Sequence, residues 1–373
     1  MMHLAVSNHF GNPDQTDVFV IGAGRRLIQV SAVKDGDWIE SPPIGPSVFT
    51  TGAPIAASKQ FGTDNTTNVF AVDDDLSLNV FGVSGSDRWD GPTAIGAKGF
   101  FDPWDPVTPS GQFGTDNTTS LYAVSRGGML VRASRINGGA WSNFIELGPT
   151  HLSSGTYVAV SKQMNTPGQT DVFFIDMNQT LNVVWVVGDP AQRWNGPIRI
   201  GAGLKRGGSV AASPQFGIDA QTDVFAVNPD GVLVGFWVNT GNTWNGPVRV
   251  GGGFPLDGHV AVSEHFGVAG RTDLFAVDNT GTLNVFWVIG FGVWNGPQLI
   301  GGKGIFPPGA PVVASQHFGI ANRTDVFAID KNDVLRVAWA DGGNAFTDPK
   351  PIASFSSGPP EGARKARSSS HTA

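Results

Sequence analysis

The sequence predicts an all-β fold, a single domain of seven four-stranded units, and three observations carry that prediction. The first is composition: of 373 residues, 51 are Gly, 25 Pro, 25 Phe and 11 Trp, with no Cys. The second is charge. Only 15% of residues are charged, against roughly 25% in ordinary soluble domains, and long surface helices normally display charged outer faces. The third is a repeat that spans almost the whole chain. The segment Thr272-Asp273-Leu274-Phe275-Ala276-Val277 recurs, and its Asp slot is filled by Asp17, Asn68, Ser120, Asp171, Asp223, Asp273 and Asp325 at spacings of 51, 52, 51, 52, 50 and 52 residues.

Each unit is built from the same elements in the same order. An alternating run such as Val260-Ala261-Val262-Ser263 comes first and ends in a His/Gln-Phe-Gly element, His265-Phe266-Gly267. Only unit four departs from that element, with Gln163-Met164-Asn165. The Asp-Val-Phe-Ala-Val run follows, then a turn rich in Asn, Asp and Gly such as Asp278-Asn279-Thr280-Gly281. A third run, Leu283-Asn284-Val285-Phe286-Trp287-Val288, leads through a Gly-rich loop to Trp294-Asn295-Gly296-Pro297 and a short fourth run. Short β-branched and aromatic runs separated by hairpin turns make antiparallel strands. Four strands per unit at a period near 50 residues mark the blade of a β-propeller. The prediction is one seven-bladed propeller over residues 1–355. Ring closure has two solutions at this level. Neighbouring blades could pack directly, or residues near Leu4–Ser7 could complete the last blade.

Residues 356–373 turn to Ser, Gly, Pro, Arg and Lys and are expected to be a disordered tail. The net charge of −7 excludes a general nucleic-acid binder, which needs a concentrated basic face. No apolar run is long enough for a transmembrane helix, so membrane insertion is not expected. The start, Met1-Met2-His3-Leu4-Ala5, lacks the basic and apolar regions of a secretory signal. The expectation is a cytoplasmic protein or one exported by another route.

Catalytic and metal chemistry find little support. A carboxylate needed in most units, such as Asp171, Asp223, Asp273 and Asp325, is expected to be structural, accepting backbone N–H groups at a strand start. His9, His265 and His317 share a slot with Gln60, Gln112, Gln163 and Gln215, so the slot wants a hydrogen-bonding side chain rather than a base or a ligand. Acidic turns such as Asp73-Asp74-Asp75 lack the spaced ligands of a calcium loop. No enzyme, metal or cofactor is expected. Residues that break the repeat, Arg25-Arg26, Asp102, Trp104 and Asp105, are where an enzyme reading would begin.

The tryptophans fall into two sets. One slot before the fourth run holds Trp38, Trp89, Trp141, Trp194, Trp244, Trp294 and finally Phe346, a near-complete ring most simply read as packing. The other lies four residues after the Leu of the third run. It holds Trp185, Trp237, Trp287 and Trp339 in units four to seven, but Ser31, Gly82 and Ser134 in units one to three. An indole in a cleft offers a flat apolar face to the C–H surface of a sugar, with Asn195, Asn245 and Asn295 nearby for hydroxyls. The candidate carbohydrate-binding residues are therefore Trp185, Trp237, Trp287, Trp339, Trp194, Trp244, Trp294, Asn195, Asn245 and Asn295. Weak sites repeated around one molecule gain avidity on a surface bearing many copies of a ligand.

This pattern of Asp-Val-Phe-Ala-Val, turn, Leu with Trp four residues on, then a second Trp resembles the Photorhabdus-type seven-bladed propeller lectins. More distantly it is similar to the six-bladed fungal fucose lectins. Trp185, Trp237, Trp287 and Trp339 match a Trp of that repeat, and Trp141-Ser142-Asn143 matches its later Trp-Ser-Asn. The Trp-His pair that the bacterial repeat places after the strand Leu is replaced here, for example by Asn182-Val183 and Asn284-Val285. The resemblance implies a non-catalytic, multivalent lectin. Its partners would be cell-surface glycans or free sugars of fucose or galactose type, and a homo-oligomer is an open option. The other reading is a propeller that serves as a protein-interaction or structural module.

Overall fold

The computed structural model describes residues 1–61, 63, 65–85, 88–148, 151–188, 193–239 and 241–355. The expected tail, 356–373, lies outside the described residues. Seven separate four-stranded antiparallel sheets follow one another along the chain, each in simple up-and-down order. Blade 6 is representative, with strands Val260–Glu264, Arg271–Val277, Leu283–Ile289 and Asn295–Ile300 from the inside outward. The second strand is buried along its whole length in every blade, because it is sandwiched within its own sheet and between neighbouring blades. Outer strands shrink to two residues, Ile39–Glu40 and Ile145–Glu146, in blades 1 and 3. Among the described residues no helix is long and apolar enough to cross a membrane.

Blades and sequence units coincide, so the ring closes by direct packing. Leu4, Val18, Val20 and Val30 of blade 1 share one buried core with Phe327, Ile329, Leu335 and Val337 of blade 7. The seam also repeats a hydrogen bond found between every pair of neighbours. The backbone N–H after the His/Gln slot donates to a threonine hydroxyl of the next blade: Phe10 to Thr67 (2.8 Å), Phe113 to Thr170 (3.0 Å), Phe266 to Thr324 (2.8 Å) and, across the seam, Phe318 to Thr16 (2.9 Å). Met164 makes it too, to Thr222 at 3.0 Å, since the donor is backbone and survives the change of side chain.

The glycine of the His/Gln-Phe-Gly element has its own reason. At Gly114 (φ +79°) and Gly217 (φ +83°) a Cβ would fall 2.6 Å from Gly168 Cα and 2.7 Å from Gly270 Cα of the next blade. Backbone meets backbone there, and only glycine fits on both counts. The hairpin turns use their acidic residues as caps. Asp278 Oδ1 accepts from the Thr280 and Thr282 N–H groups at 2.8 and 3.0 Å, and its Oδ2 accepts from Asn284 Nδ2 at 3.0 Å.

Candidate functional site: the clefts between blades

Register decides which side chains face which neighbour. Residues directly opposite in adjacent strands share a sheet face, as do residues two apart in one strand. Asp223 and Phe225 therefore lie on one face of blade 5, together with Trp237, which stands opposite Asp223. Trp294 of blade 6 packs edge-on against Phe225, centroids 5.4 Å apart, so that face looks toward blade 6. The same edge-to-face pair recurs at every interface: Trp38–Phe327, Trp89–Phe19, Trp141–Phe70, Trp194–Tyr122, Trp244–Phe173 and Phe346–Phe275. The near-complete aromatic ring is thus a ring of inter-blade joints, as its periodicity suggested.

One consequence was invisible along the chain. The two tryptophans of a single unit face opposite clefts. Trp185 of blade 4 and Trp244 of blade 5 both pack on one inter-blade core. Trp237 likewise shares its cleft with Trp294, Trp287 with Phe346, and Trp339 with Trp38. Trp194 lies in the cleft between blades 3 and 4, across from Ser134 rather than from a second indole. Asn195, Asn245 and Asn295 stand opposite Trp185, Trp237 and Trp287 in register and are exposed. The Asn245 and Asn295 amides each reach back 3.4 Å to the carbonyl of their own tryptophan, and Asn295 also donates to Val293 O at 2.8 Å.

Three of the ring indoles carry a donor with nothing to meet. The Nε1 atoms of Trp141, Trp194 and Trp244 are buried and lack a hydrogen-bond partner. Trp89 shows what satisfies the group, since its Nε1–H donates to Gln29 Oε1 of the preceding blade at 3.2 Å. The positions equivalent to Gln29 that face Trp141 and Trp244 hold Val80 and Val183, which have no acceptor. A cleft between blades 2 and 3 holds a cavity of about 580 Å³ lined by Asn68, Gly82, Asp90, Arg135, Trp141 and Asn143. Gly82, one of its lining residues, stands where blades 4 to 7 have tryptophan.

Beneath these platforms runs the ring of Asp slots, and its partners differ from expectation. The carboxylates accept from side chains rather than from backbone N–H groups, because each is buried mid-sheet where the backbone groups are already paired. His9 Nδ1 lies 2.8 Å from Asp17, and His265 Nδ1 lies 2.5 Å from Asp273. His265 Nε2 also contacts Gly343 O of blade 7 at 2.8 Å, so the His/Gln slot ties its own Asp to the next blade. In blade 4 the slot is Gln163, which donates to Gly241 O of blade 5 at 2.8 Å. The carboxyls of Asp171 and Asp223 have only glutamines as partners, and their Oδ2 atoms are unpaired. Burial pushes both up to about 7, and the Gln169 and Gln221 hydrogen bonds only partly oppose this.

The residues flagged for an enzyme reading have structural partners instead. Asp105 accepts from Ser154 Oγ (2.8 Å) and from the Gly155 N–H (2.7 Å) of blade 4's approach loop, while Asp102 pairs with Arg126 at 3.4 Å. Arg25 Nε donates to Phe49 O at 3.1 Å and its guanidinium pairs with Asp74. Trp104 is half exposed. The axis itself holds a second cavity of about 570 Å³, ringed by Phe113, Met164, Phe216, Phe266 and Phe318.

No family model and no curated protein sequence matches the chain. Solved structures do. AofleA from Arthrobotrys oligospora shares the fold, with a TM-score of 0.57 at 14% identity, over 80% of this chain and 86% of that one. So does the lectin of Aleuria aurantia, described as a six-bladed β-propeller with its own mode of fucose recognition, with a TM-score of 0.51 at 16% identity, over 83% and 96%. The BP39L lectin from Burkholderia pseudomallei is much nearer: it superposes with a TM-score of 0.92, covering 94% of this chain and 99% of that one. At 45% identity along almost its whole length, the chain belongs to the family of the BP39L lectin and is a non-catalytic, carbohydrate-binding seven-bladed propeller.

Proposed function

We propose that this lectin holds sugars in the clefts between neighbouring blades. The platforms are drawn from Trp185, Trp237, Trp287 and Trp339, with Trp194, Trp244 and Trp294 and the turn residues Asn195, Asn245 and Asn295 at the rims. Fucose-type sugars are the first class to test, since the SapL1 and Aleuria aurantia lectins of the same fold were solved with α-methyl fucosides; galactose-type sugars come second. The observation that carries the reading is the indole N–H of Trp244, buried without an acceptor in the same cleft as the Trp185 face. An unmade buried donor is costly, and a ligand hydroxyl oxygen would satisfy it. An indole face beside it would take the apolar side of the same sugar. Several such clefts on one rigid ring give avidity on a glycan-coated surface.

A glycan array tests the reading. The protein should bind a restricted set of saccharides, and Trp185→Ala and Trp237→Ala should each weaken the signal while the circular dichroism spectrum stays unchanged. An empty array would sink it.

A further inference from the structure

Internal repetition lets each cleft serve as a control for the others, and one position separates them. Two residues before the Asp slot the chain carries Gln15, Thr66, Thr118, Gln169, Gln221, Arg271 and Arg323. Thus, of the four blades with a platform tryptophan, blades 4 and 5 have glutamine there and blades 6 and 7 have arginine.

The two arginines sit in their clefts against the platform indoles. Arg271 is fully buried, and its guanidinium carbon lies 5.0 Å from the ring centre of Trp287. Its Nε donates to Asp273 of its own blade at 2.6 Å, while Nη1 donates to Asn344 of blade 7 at 2.5 Å. Arg323 repeats this across the seam. It lies 4.3 Å from the centre of Trp339, donates to Asp325 at 3.1 Å and reaches Asp35 of blade 1 at 3.4 Å. Lys350 adds a second cation 4.3 Å from the same indole. A guanidinium stacks on an indole face in the way a sugar's C–H surface would, and here it is also bonded to both walls. Displacing it means breaking a buried, hydrogen-bonded ion pair, which leaves the carboxylate uncompensated.

Blades 4 and 5 lack that plug. Gln169 Nε2 bonds Asp171 at 2.6 Å and Gln163 at 2.8 Å, both in its own blade. Gln221 does the same with Asp223 and Gln215, at 2.7 and 2.5 Å. Among the described residues no cation stands over Trp185 or Trp237.

We infer that Arg271 and Arg323 are built-in occupants of the platforms at Trp287 and Trp339, so that sugar enters the clefts at Trp185 and Trp237 and is excluded from the other two. This rests on the reading that indole-lined clefts take sugar, and it sets which of them do. The arginines act as specificity determinants for the ring. They set its valency, each being held to both walls of its cleft.

The test uses protein labelled with 5-fluorotryptophan, its ¹⁹F resonances assigned by single Trp→Phe variants and titrated with methyl α-L-fucoside. In the native sequence the Trp185 and Trp237 signals should shift while those of Trp287 and Trp339 stay still. Arg271→Gln should recruit Trp287 to the responding set, and Arg323→Gln combined with Lys350→Gln should recruit Trp339, since Lys350 otherwise still stands 4.3 Å from that ring. Conversely, Gln169→Arg with Gln221→Arg, which copies an arrangement this fold already tolerates twice, should weaken binding at Trp185 and Trp237 by about tenfold or more. A shift at Trp287 or Trp339 in the native sequence overturns the assignment while leaving the sugar-cleft reading intact. So does undiminished binding after the glutamine-to-arginine changes. If no platform tryptophan responds in any of these proteins, the sugar-cleft reading falls and the assignment falls with it.

Discussion

Trp244 stands edge-on against Phe173 of the preceding blade, ring centroids 5.4 Å apart and planes at 81°. That pair is one of seven equivalent joints, and it explains why this slot stays aromatic in every unit while the second tryptophan slot does not. Trp244→Ala should destabilise the protein by about 3–5 kcal/mol, the range for truncating a large core aromatic. Trp244→Phe should be tolerated far better, since Phe346 already makes the joint with Phe275 at 5.5 Å. Chemical denaturation of the two variants checks the contrast.

The seam should behave like any other joint. Thr16→Val removes the acceptor for the Phe318 N–H and leaves a donor unpaired between blades 7 and 1. A loss of about 1–3 kcal/mol is expected, and Thr272→Val should cost the same through Phe216. Hydrogen exchange at the Phe318 and Phe216 amides should accelerate in the respective variants. An unchanged Phe318 amide would mean that the Thr16 hydroxyl does not hold it at the seam.

Blades 4 and 5 should prefer mildly acidic conditions. Burial raises the carboxyls of Asp171 and Asp223 from the ordinary range near 4 to about 7. A carboxyl raised on folding contributes its stability in full below the unfolded value and loses it as pH climbs through the folded one. The contribution therefore fades between about pH 4 and pH 7. Asp171→Asn and Asp223→Asn should raise the melting temperature at pH 8 and change little at pH 4, because blade 2 already pairs Asn68 with Gln60 at 3.1 Å in the same place. Asp273→Asn should instead be destabilising at pH 8, since it strands Arg271 and weakens the His265 contact. Thermal melts across that pH range distinguish the two behaviours.

The glycine of the His/Gln-Phe-Gly element should be intolerant of any side chain. Gly217→Ala places a methyl group 2.7 Å from Gly270 Cα in a left-handed backbone, so blades 5 and 6 must move apart. The melting temperature should fall by more than it does for Gly24→Ala, where a Cβ meets open space. Equal losses would remove the steric argument.

Most of the fold was legible because the repeat is short, regular and in phase with the blades. The Asp slots at Asp17 to Asp325 located the second strands, and the Asp-Asn-Thr-Gly turn at 278–281 located a hairpin. The candidate site was harder. A cleft is made by two blades, so reading one unit at a time groups Trp185 with Trp194, whereas folding groups it with Trp244. The Asp slot also misled in detail, since its partners come from positions eight and two residues upstream, as His265 and Arg271 show. Nothing along the chain marks Arg271 as a plug and Gln169 as a gap until register puts both beside an indole.

The central claim is that sugars lie between blades, against an indole of one and the ring tryptophan of the next. The most direct measurement is a crystal structure of the protein soaked in methyl α-L-fucoside. Sugar density against the Trp185 face and within hydrogen-bonding distance of Trp244 Nε1 is the predicted result. Density confined to the axial cavity ringed by Phe216 and Phe266, or clefts empty at saturating sugar, would contradict it.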